Sequence, residues 1–469
     1  MSFKRTKIVC TIGPASWDKE TLTELALNGM DLARLNMSHG THEEKKEQIK
    51  LIRDISKHTG HRIAVIADLQ GPKLRLGKME GVINIKKGDI LKLSIEEGQD
   101  ITPVQFDFSP FIKKDHRVFL NDGLVELTVL GVSKKVVKLE AKNNGWISSN
   151  KGINLPDTTL VNAAFTPKDR ADAEFAIKEK VDYLALSFVQ NVQDILVLKE
   201  LIKDRKSKIK IIAKIEKNEA VHNLEEILKE ADAVMVARGD LATETKAEEV
   251  PLIQQKIVRL ARQYQKPVIV ATQMLESMVE NPRPTRAEVS DVANAVLDQV
   301  DGVMLSAESA SGKYPVEAVR TMRDVILSVE RNPEYKKNIE INWDGIALEN
   351  LSTNAIAASA GSLAHLIKAK TVIAATASGR VVRSLASFRP GAHILAVAHD
   401  EQTCNQLNLV WGVNSMTMKP IRNSDKFWKN IIKDAKNKGF VQSGEKVVLV
   451  GGTKIGMTGA TDSIKVVTI

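Results

Sequence analysis

Residues 211–242 read IIAKIEKNEAVHNLEEILKEADAVMVARGDLA, and this stretch decides the fold. It opens with a strand-length apolar run, 211–215, that carries Lys214 and runs into Glu216. Alternate side chains of an extended strand share a face, so Ile212, Lys214 and Glu216 point one way while Ile211, Ala213 and Ile215 point the other. A cation and an anion therefore climb one wall together. A helical pattern follows at Val221, Leu224, Ile227 and Leu228, then a second buried run, 233–237, which stops at Arg238-Gly239-Asp240. Gly239 permits a sharp turn. Asp240 is placed to cap the next helix, whose unpaired N–H groups suit an anion, and its carboxylate with that of Glu216 suits a hard divalent metal. Lys214 would then face a metal-bound anion. Read blandly, Lys214 and Glu216 are a buried ion pair and Asp240 is only a helix cap.

Working outward, the same alternation of short apolar runs and helical patterns recurs at 8–11, 32–35, 63–67, 183–186, 211–215, 233–237, 268–271 and 302–305. Eight such units predict a closed parallel (β/α) barrel, an α/β fold whose active sites lie at the C-terminal rim of the strands. Arg34, Asn36, Ser38, Asp68, Ser187, Glu216, Asp240, Thr272 and Ser306 sit just after those runs, where such a rim puts its chemistry.

Residues 72–166 interrupt the pattern with period-two segments at 82–85, 90–95, 124–130 and 136–139, separated by Lys-Lys-Gly-Asp and Asn-Asp-Gly turns. This predicts a small inserted β-barrel, leaving and rejoining the large one at Gly71-Pro72 and Thr166-Pro167. An insertion above the rim is positioned as a lid that excludes water. From residue 341 the pattern restarts as a separate C-terminal α/β domain, with a small-residue helix after 351 and strands at 371–375, 446–450 and 464–469. The expected organisation is 1–71 and 167–340 for the barrel, 72–166 for the lid and 341–469 for the last domain.

Composition excludes little. The chain has 469 residues, 43% hydrophobic and 27% charged, with no apolar run that spans a bilayer and no secretory start, which predicts a cytoplasmic protein free of membrane contact. Cys10 and Cys404 form no metal or redox motif. The net charge of +9 is spread through amphipathic helices without basic-aromatic interleaving, so nucleic acid is not an expected partner. Thr285-Arg286-Ala287-Glu288 is a capping box.

The Ala-Lys-Ile-Glu-Lys strand followed by Val-Ala-Arg-Gly-Asp-Leu resembles the pyruvate kinase family, and the likeness extends over essentially the whole chain. It includes Leu120-Asn121-Asp122-Gly123 and Lys151-Gly152-Ile153-Asn154-Leu155-Pro156 of the lid. The resemblance implies phosphoryl transfer from phosphoenolpyruvate to ADP, giving pyruvate and ATP. Arg34, within Ala33-Arg34-Leu35-Asn36-Met37-Ser38-His39, and Arg75 would grip phosphate, and Lys214 would neutralise the moving phosphoryl group. Glu216 and Asp240 would hold Mg²⁺ or Mn²⁺, with Gly239 and Asp240 offering backbone N–H groups to the substrate carboxylate. Thr272 would stand near the enolate carbon. Arg75 and Lys168 match nucleotide contacts, while His39 either touches nucleotide or packs its loop. The segment 281–288 implies a homotetramer.

Departures from the family pattern carry their own expectations. Ala242-Thr243-Glu244 and Ser306-Ala307-Glu308-Ser309 differ locally while leaving the charged set intact. Thr376-Ala377-Ser378-Gly379-Arg380 is similar to a loop that holds an activator's phosphate, but Val381 and Val382 follow where the family carries other residues, and an ordinary strand-to-helix turn is the alternative. Many relatives hold K⁺ with residues matching Asn36, Ser38, Asp68 and the next carbonyl, here Leu69. Lys73 replaces their usual Glu, so K⁺ is expected to be unnecessary. Two other readings remain: a metal-dependent pyruvate aldolase or lyase on a similar barrel, and a non-catalytic binding protein using the basic surface.

Overall fold

In the computed structural model, residues 4–469 are described except 97, 99, 122, 159–164, 338–350, 420, 422–423 and 453–460. The lid-turn Asp122, the expected boundary at 340 and most of the terminal loop before Asp462 lie outside the described residues.

Eight parallel strands close a barrel in which each pairs with its sequence neighbour: Lys7–Thr11, Leu32–Asn36, Ala64–Asp68, Tyr183–Leu186, Lys210–Ile215, Ala233–Ala237, Val268–Ala271 and Gly302–Leu305. These runs are rich in β-branched residues and buried on both faces, as strands covered by helices must be. Ile212 packs inside the barrel with Val9, Ile66, Met235, Ile269 and Met304, while Ile211, Ala213 and Ile215 pack outward against the helices. That division leaves the inward Lys214 and Glu216 at the rim. The third strand ends one residue later than its apolar run because the Asp68 carbonyl accepts from Met37 N at 2.9 Å.

The C-terminal domain closes the opposite end. Its five-stranded sheet runs Val413–Thr417, His393–Ala398, Thr371–Ala375, Lys446–Gly451, Ser463–Thr468, with the last strand antiparallel. Leu409 belongs to the barrel's interior cluster. Around it, Asn408 Nδ2 donates to the carbonyls of Asp31 and Arg62, and Tyr183 Oη donates to the Gln406 carbonyl at 2.6 Å.

The insertion is all β, with a core of its own. Six strands form one sheet in the order Ile153–Asn154, Arg117–Leu120, Val125–Ser133, Val136–Ala141, Ile90–Ser94, Thr102–Pro103. Its two edges are joined by one short segment: Arg75 bridges Gly152 and Leu76 bridges Val104. Backbone bonds from Leu76 N to Lys151 O at 2.9 Å and from Gln105 N to Arg75 O at 3.0 Å complete the ring. The segment that closes the small barrel therefore carries Arg75.

Both crossings between barrels are tied to one carboxylate. Asp169 Oδ1 accepts from Gly71 N at 3.0 Å, and Oδ2 accepts from Thr166 N at 3.0 Å in the capping box that opens the helix Pro167–Lys178. Gly71 has φ +66°, and a Cβ there would lie 2.9 Å from the Phe188 ring and 3.0 Å from Ser187 Cβ. The expected capping box at Thr285 and Glu288 is present. Both cysteines are buried and unpaired. Among the described residues no helix is long and apolar enough to cross a membrane.

Candidate active site

Lys214 is the centre of the rim. Its Nζ donates to Ser187 Oγ at 2.7 Å and lies 2.8 Å from Glu216 Oε1 and 3.4 Å from Asp68 Oδ1. Burial alone lowers a lysine, but the Asp68 and Glu216 carboxylates outweigh it and hold Lys214 above its ordinary value. The ammonium is thus permanently charged and fixed on three sides. Burial also opposes ionisation of Asp68, yet Lys214 and Arg34 together keep its carboxyl below the usual range.

Glu216 is fully buried. Its Oε2 accepts from Phe188 N at 2.6 Å, and Oε1 lies 2.8 Å from Lys214 Nζ. Burial pushes its carboxyl up; Lys214 opposes this and the facing Asp240 adds to it. Two carboxylates that repel across a cleft, one of them fully buried, fit a hard divalent cation. Among the described residues no group of three or more His, Cys, Asp or Glu forms a complete metal cage. Two protein carboxylates plus substrate and water oxygens is the arrangement that suits Mg²⁺.

Arg34, Asn36, Ser38, His39, Asp68, Leu69, Lys73, Arg75, Lys214, Glu216 and Asp240 all line one cleft, with a volume of about 140 Å³. Arg34 is aimed by Nε to Asp68 Oδ2 at 2.6 Å and Nη1 to Thr11 Oγ1 at 2.9 Å. Arg75 is held by the Asn150 carbonyl at 2.9 Å. Burial, then the charges of Arg75, Lys45, Arg34 and Lys168, depress the His39 imidazole below its ordinary value. A neutral histidine ringed by four cations marks a polyanion site.

Lys168, Thr272, Gly239 and the loop Thr376–Arg380 stand apart from that cleft, and Asp240, which lines it, departs from its expected role as a cap. Lys168 bonds to the Met37 carbonyl at 2.7 Å and Asp172 at 2.6 Å, outside the lining. Thr272, at φ +67°, donates to the Ala271 carbonyl and accepts from Gly239 N at 2.8 Å, so the Gly239 N–H is already engaged. Asp240 does not cap its helix. That helix, Arg238–Glu244, has Ala237 as N-cap with no side-chain cap, and begins early because Arg238 is anchored by Asp291 at 2.7 Å and by the Thr272 carbonyl at 2.8 Å. Asp240 falls inside the first turn instead, where its carboxylate meets Lys73 Nζ at 3.1 Å. The loop Thr376–Arg380 lies in the C-terminal domain; Gly379, at φ +78°, is the N-cap of the helix Arg380–Ser387 and donates to Thr376 Oγ1 at 2.9 Å.

Comparison with known proteins identifies the arrangement. A family model described as "Pyruvate kinase, barrel domain" matches residues 3–319, and one described as "Pyruvate kinase, alpha/beta domain" matches 354–467. This chain belongs to the pyruvate kinase family. It is 40% identical over 471 residues to pyruvate kinases of Staphylococcus aureus strains MRSA252 and USA300, covering 99% of this chain and 80% of each relative. A crystal structure of a pyruvate kinase from Cryptosporidium parvum superposes with a TM-score of 0.92 at 33% identity, covering 99% of this chain and 96% of that one. The lyase alternative has no support in these comparisons.

Against the pyruvate kinase pattern, the local departures acquire structural meaning. A Cβ on Gly123 of the lid would lie 3.0 Å from Thr243 Cγ2, so the Ala242-Thr243-Glu244 turn is part of the seat on which the lid rests. Next to it Asn154 Nδ2 of the lid donates to Glu244 Oε1 at 2.9 Å, while Lys217 Nζ lies 3.2 Å from Glu244 Oε2; all three side chains are buried. Glu308 is buried too, accepting from Ser306 N at 2.7 Å and Leu275 N at 3.1 Å, a purely structural use. Sequence reading placed Ser187 at the rim without a role, quoted Asn154 and Glu244 only within family motifs, and gave no role to Thr11 and Lys217. Their partners are distant in sequence, and only the position of Lys217 just after the run 211–215 hinted at a place near the rim.

Proposed function

We propose that this chain is a pyruvate kinase transferring the phosphoryl group of phosphoenolpyruvate to ADP, with Lys214 as the cation that meets the group in flight. The observation that carries this reading is an ammonium kept charged by two buried carboxylates in a cleft that also holds Arg34, Lys73 and Arg75. The bond from phosphorus to the enol oxygen breaks as one forms to the terminal oxygen of ADP, and the enolate takes a proton at carbon to become pyruvate. Such a transfer needs positioned charge more than covalent chemistry.

In this reading Arg34, oriented by Asp68 and Thr11, and Arg75, carried on the segment that closes the lid barrel, grip phosphate oxygens. Lys168 and His39 border the nucleotide side. Glu216 and Asp240 would hold a divalent metal, which when bound neutralises oxygens of the substrate. Thr272, one hydrogen bond from Gly239, belongs to the route by which a proton reaches the enolate carbon. Substrate must displace or share the Gly239 N–H for that amide to serve the carboxylate. The lid, seated on Thr243 and Glu244, excludes water.

The same geometry supports activity without K⁺. Asn36 Oδ1 accepts from Ser38 N at 3.0 Å, the Leu69 carbonyl accepts from Ser187 Oγ at 2.8 Å, and Asp68 is shared between Arg34 and Lys214. The matched oxygens of Asn36, Asp68 and Leu69 are thus engaged by the protein, and Lys73 brings its own charge into the cleft. We further propose a cytoplasmic homotetramer, with the uncovered side of the helix Arg286–Leu297, where Leu297 is 49% exposed, as a subunit contact. Light scattering at assay concentration tests the assembly.

The function itself is tested by one coupled assay: pyruvate and ATP formed from phosphoenolpyruvate, ADP and Mg²⁺. No ATP, or carbon–carbon cleavage without ADP, overturns it.

A further inference from the structure

We propose that the joint between the barrel and the C-terminal domain binds a small inorganic anion of chloride size, held by Arg262, Lys266 and Arg383. A cavity of about 10 Å³ lies there, lined by these three with Gln265, Asp301 and Arg389. That is room for one water-sized body, and too little for a sugar phosphate.

The charges do not balance. Asp301 lines the cavity but is spent: its oxygens lie 3.2 Å each from the two Nη atoms of Arg389 and also accept from Val268 N at 3.1 Å and Trp411 N at 3.0 Å. Asp232, the next carboxylate, is bound by Lys210 at 2.9 Å and Ile211 N at 3.0 Å. Among the described residues, Arg262, Lys266 and Arg383 make no ion pair. Their hydrogen bonds go to carbonyls instead: Arg262 Nη2 to Ser387 at 3.4 Å, Lys266 Nζ to Ala231 at 2.7 Å, Arg383 Nη1 to Ser378 at 3.3 Å. Carbonyls satisfy donors without cancelling charge, and Arg262 Nε is buried with no acceptor at all.

Burial depresses all three cations, and a neighbouring positive charge adds to the fall in each. Burial, and then Arg389, push Arg262 down to about 10; burial pushes Lys266 down to about 8 against the pull of Asp232, and Arg383 adds to the fall. Cations held together out of water need a counter-ion. Arg262 lies on the helix Val250–Gln263 of the barrel and Arg383 on the helix Arg380–Ser387 of the last domain. An anion between them cements the two domains, next to the carbonyl of Ser378 in the loop that resembles an activator site.

The test uses the full chain, with thermal unfolding followed as chloride replaces gluconate at constant ionic strength and cation. The midpoint of the wild type should rise and saturate. Arg262→Met should unfold at a higher temperature than the wild type in gluconate, having lost a repelling charge, and should lose the saturable rise. A chloride-independent wild type, or an equal rise in the variant, overturns the proposal. Should Arg262→Met not fold, crystals soaked in bromide decide: an anomalous peak among Arg262, Lys266 and Arg383 supports it, and an empty cavity refutes it.

Discussion

Lys73 Nζ, at the base of the lid, lies 3.1 Å from Asp240 Oδ1, one of the two carboxylates that face each other across the cleft. Neither side chain is fully buried, at 20% and 24% exposure, so the contact can open for substrate and metal. A tethered ammonium needs no equilibrium with bulk cation. The wild-type enzyme should keep near-full activity when a bulky tetraalkylammonium salt replaces K⁺, whereas Lys73→Glu should lose activity and regain part of it with K⁺. Strong K⁺ activation of the wild type would contradict this.

Lys214→Met should leave the fold intact, since methionine fills the same space, and should lower kcat by on the order of 10²–10³-fold or more. The retained fold is checked by circular dichroism and the loss by single-turnover phosphoryl transfer. Near-normal turnover would remove Lys214 from the mechanism.

For Glu216→Gln, the buried acceptor facing the cleft becomes neutral, and metal affinity should fall by about tenfold or more. Titrating Mn²⁺ by its paramagnetic effect on water relaxation reads binding directly, apart from turnover. Activity should partly return at high Mn²⁺; an unchanged affinity would mean that Glu216 is not a ligand.

Asp169→Ala should cut loose both crossings of the insertion at once. The lost capping box costs about 1 kcal/mol, and Gly71 N is left without its acceptor. Limited proteolysis should then cleave near residues 71 and 166 while the barrel survives, and kcat should drop more than substrate affinity. If cleavage sites and kcat match the wild type, the carboxylate does not control the lid.

His393, half-buried at the start of a C-terminal strand, gives a pH dependence of known sign. Burial, and then Arg5 and Lys7, depress its imidazole from the ordinary 6.5 to about 4. Between those values the unfolded chain binds the extra proton and the folded one does not, so this contribution is present above pH 6.5 and is lost as pH falls towards 4. Denaturant unfolding of the wild type should show this loss, and His393→Gln should be flatter over the same window. Parallel curves would exclude the histidine as the cause.

The order of elements, the eight-unit barrel, the inserted β structure and the facing of Lys214 and Glu216 were all legible in the chain, because period and polarity are local properties. Strand ends, and hence Arg34, Asp68, Glu216 and Asp240 at the rim, followed from where apolar runs stop. Tertiary structure alone decided what those groups touch. Asp240 meets Lys73 because Arg238 is pulled into the helix by Asp291 and the Thr272 carbonyl, starting that helix two residues ahead of the aspartate. Ser187 became the third support of Lys214, and Asn154 and Glu244 became the lid's anchor, through pairings 27 and 90 residues apart. Local pattern records which face of an element is buried, since that depends on neighbours in the chain. It does not record which distant group will share a buried hydrogen bond, since that depends on barrel closure and on how the lid returns to it.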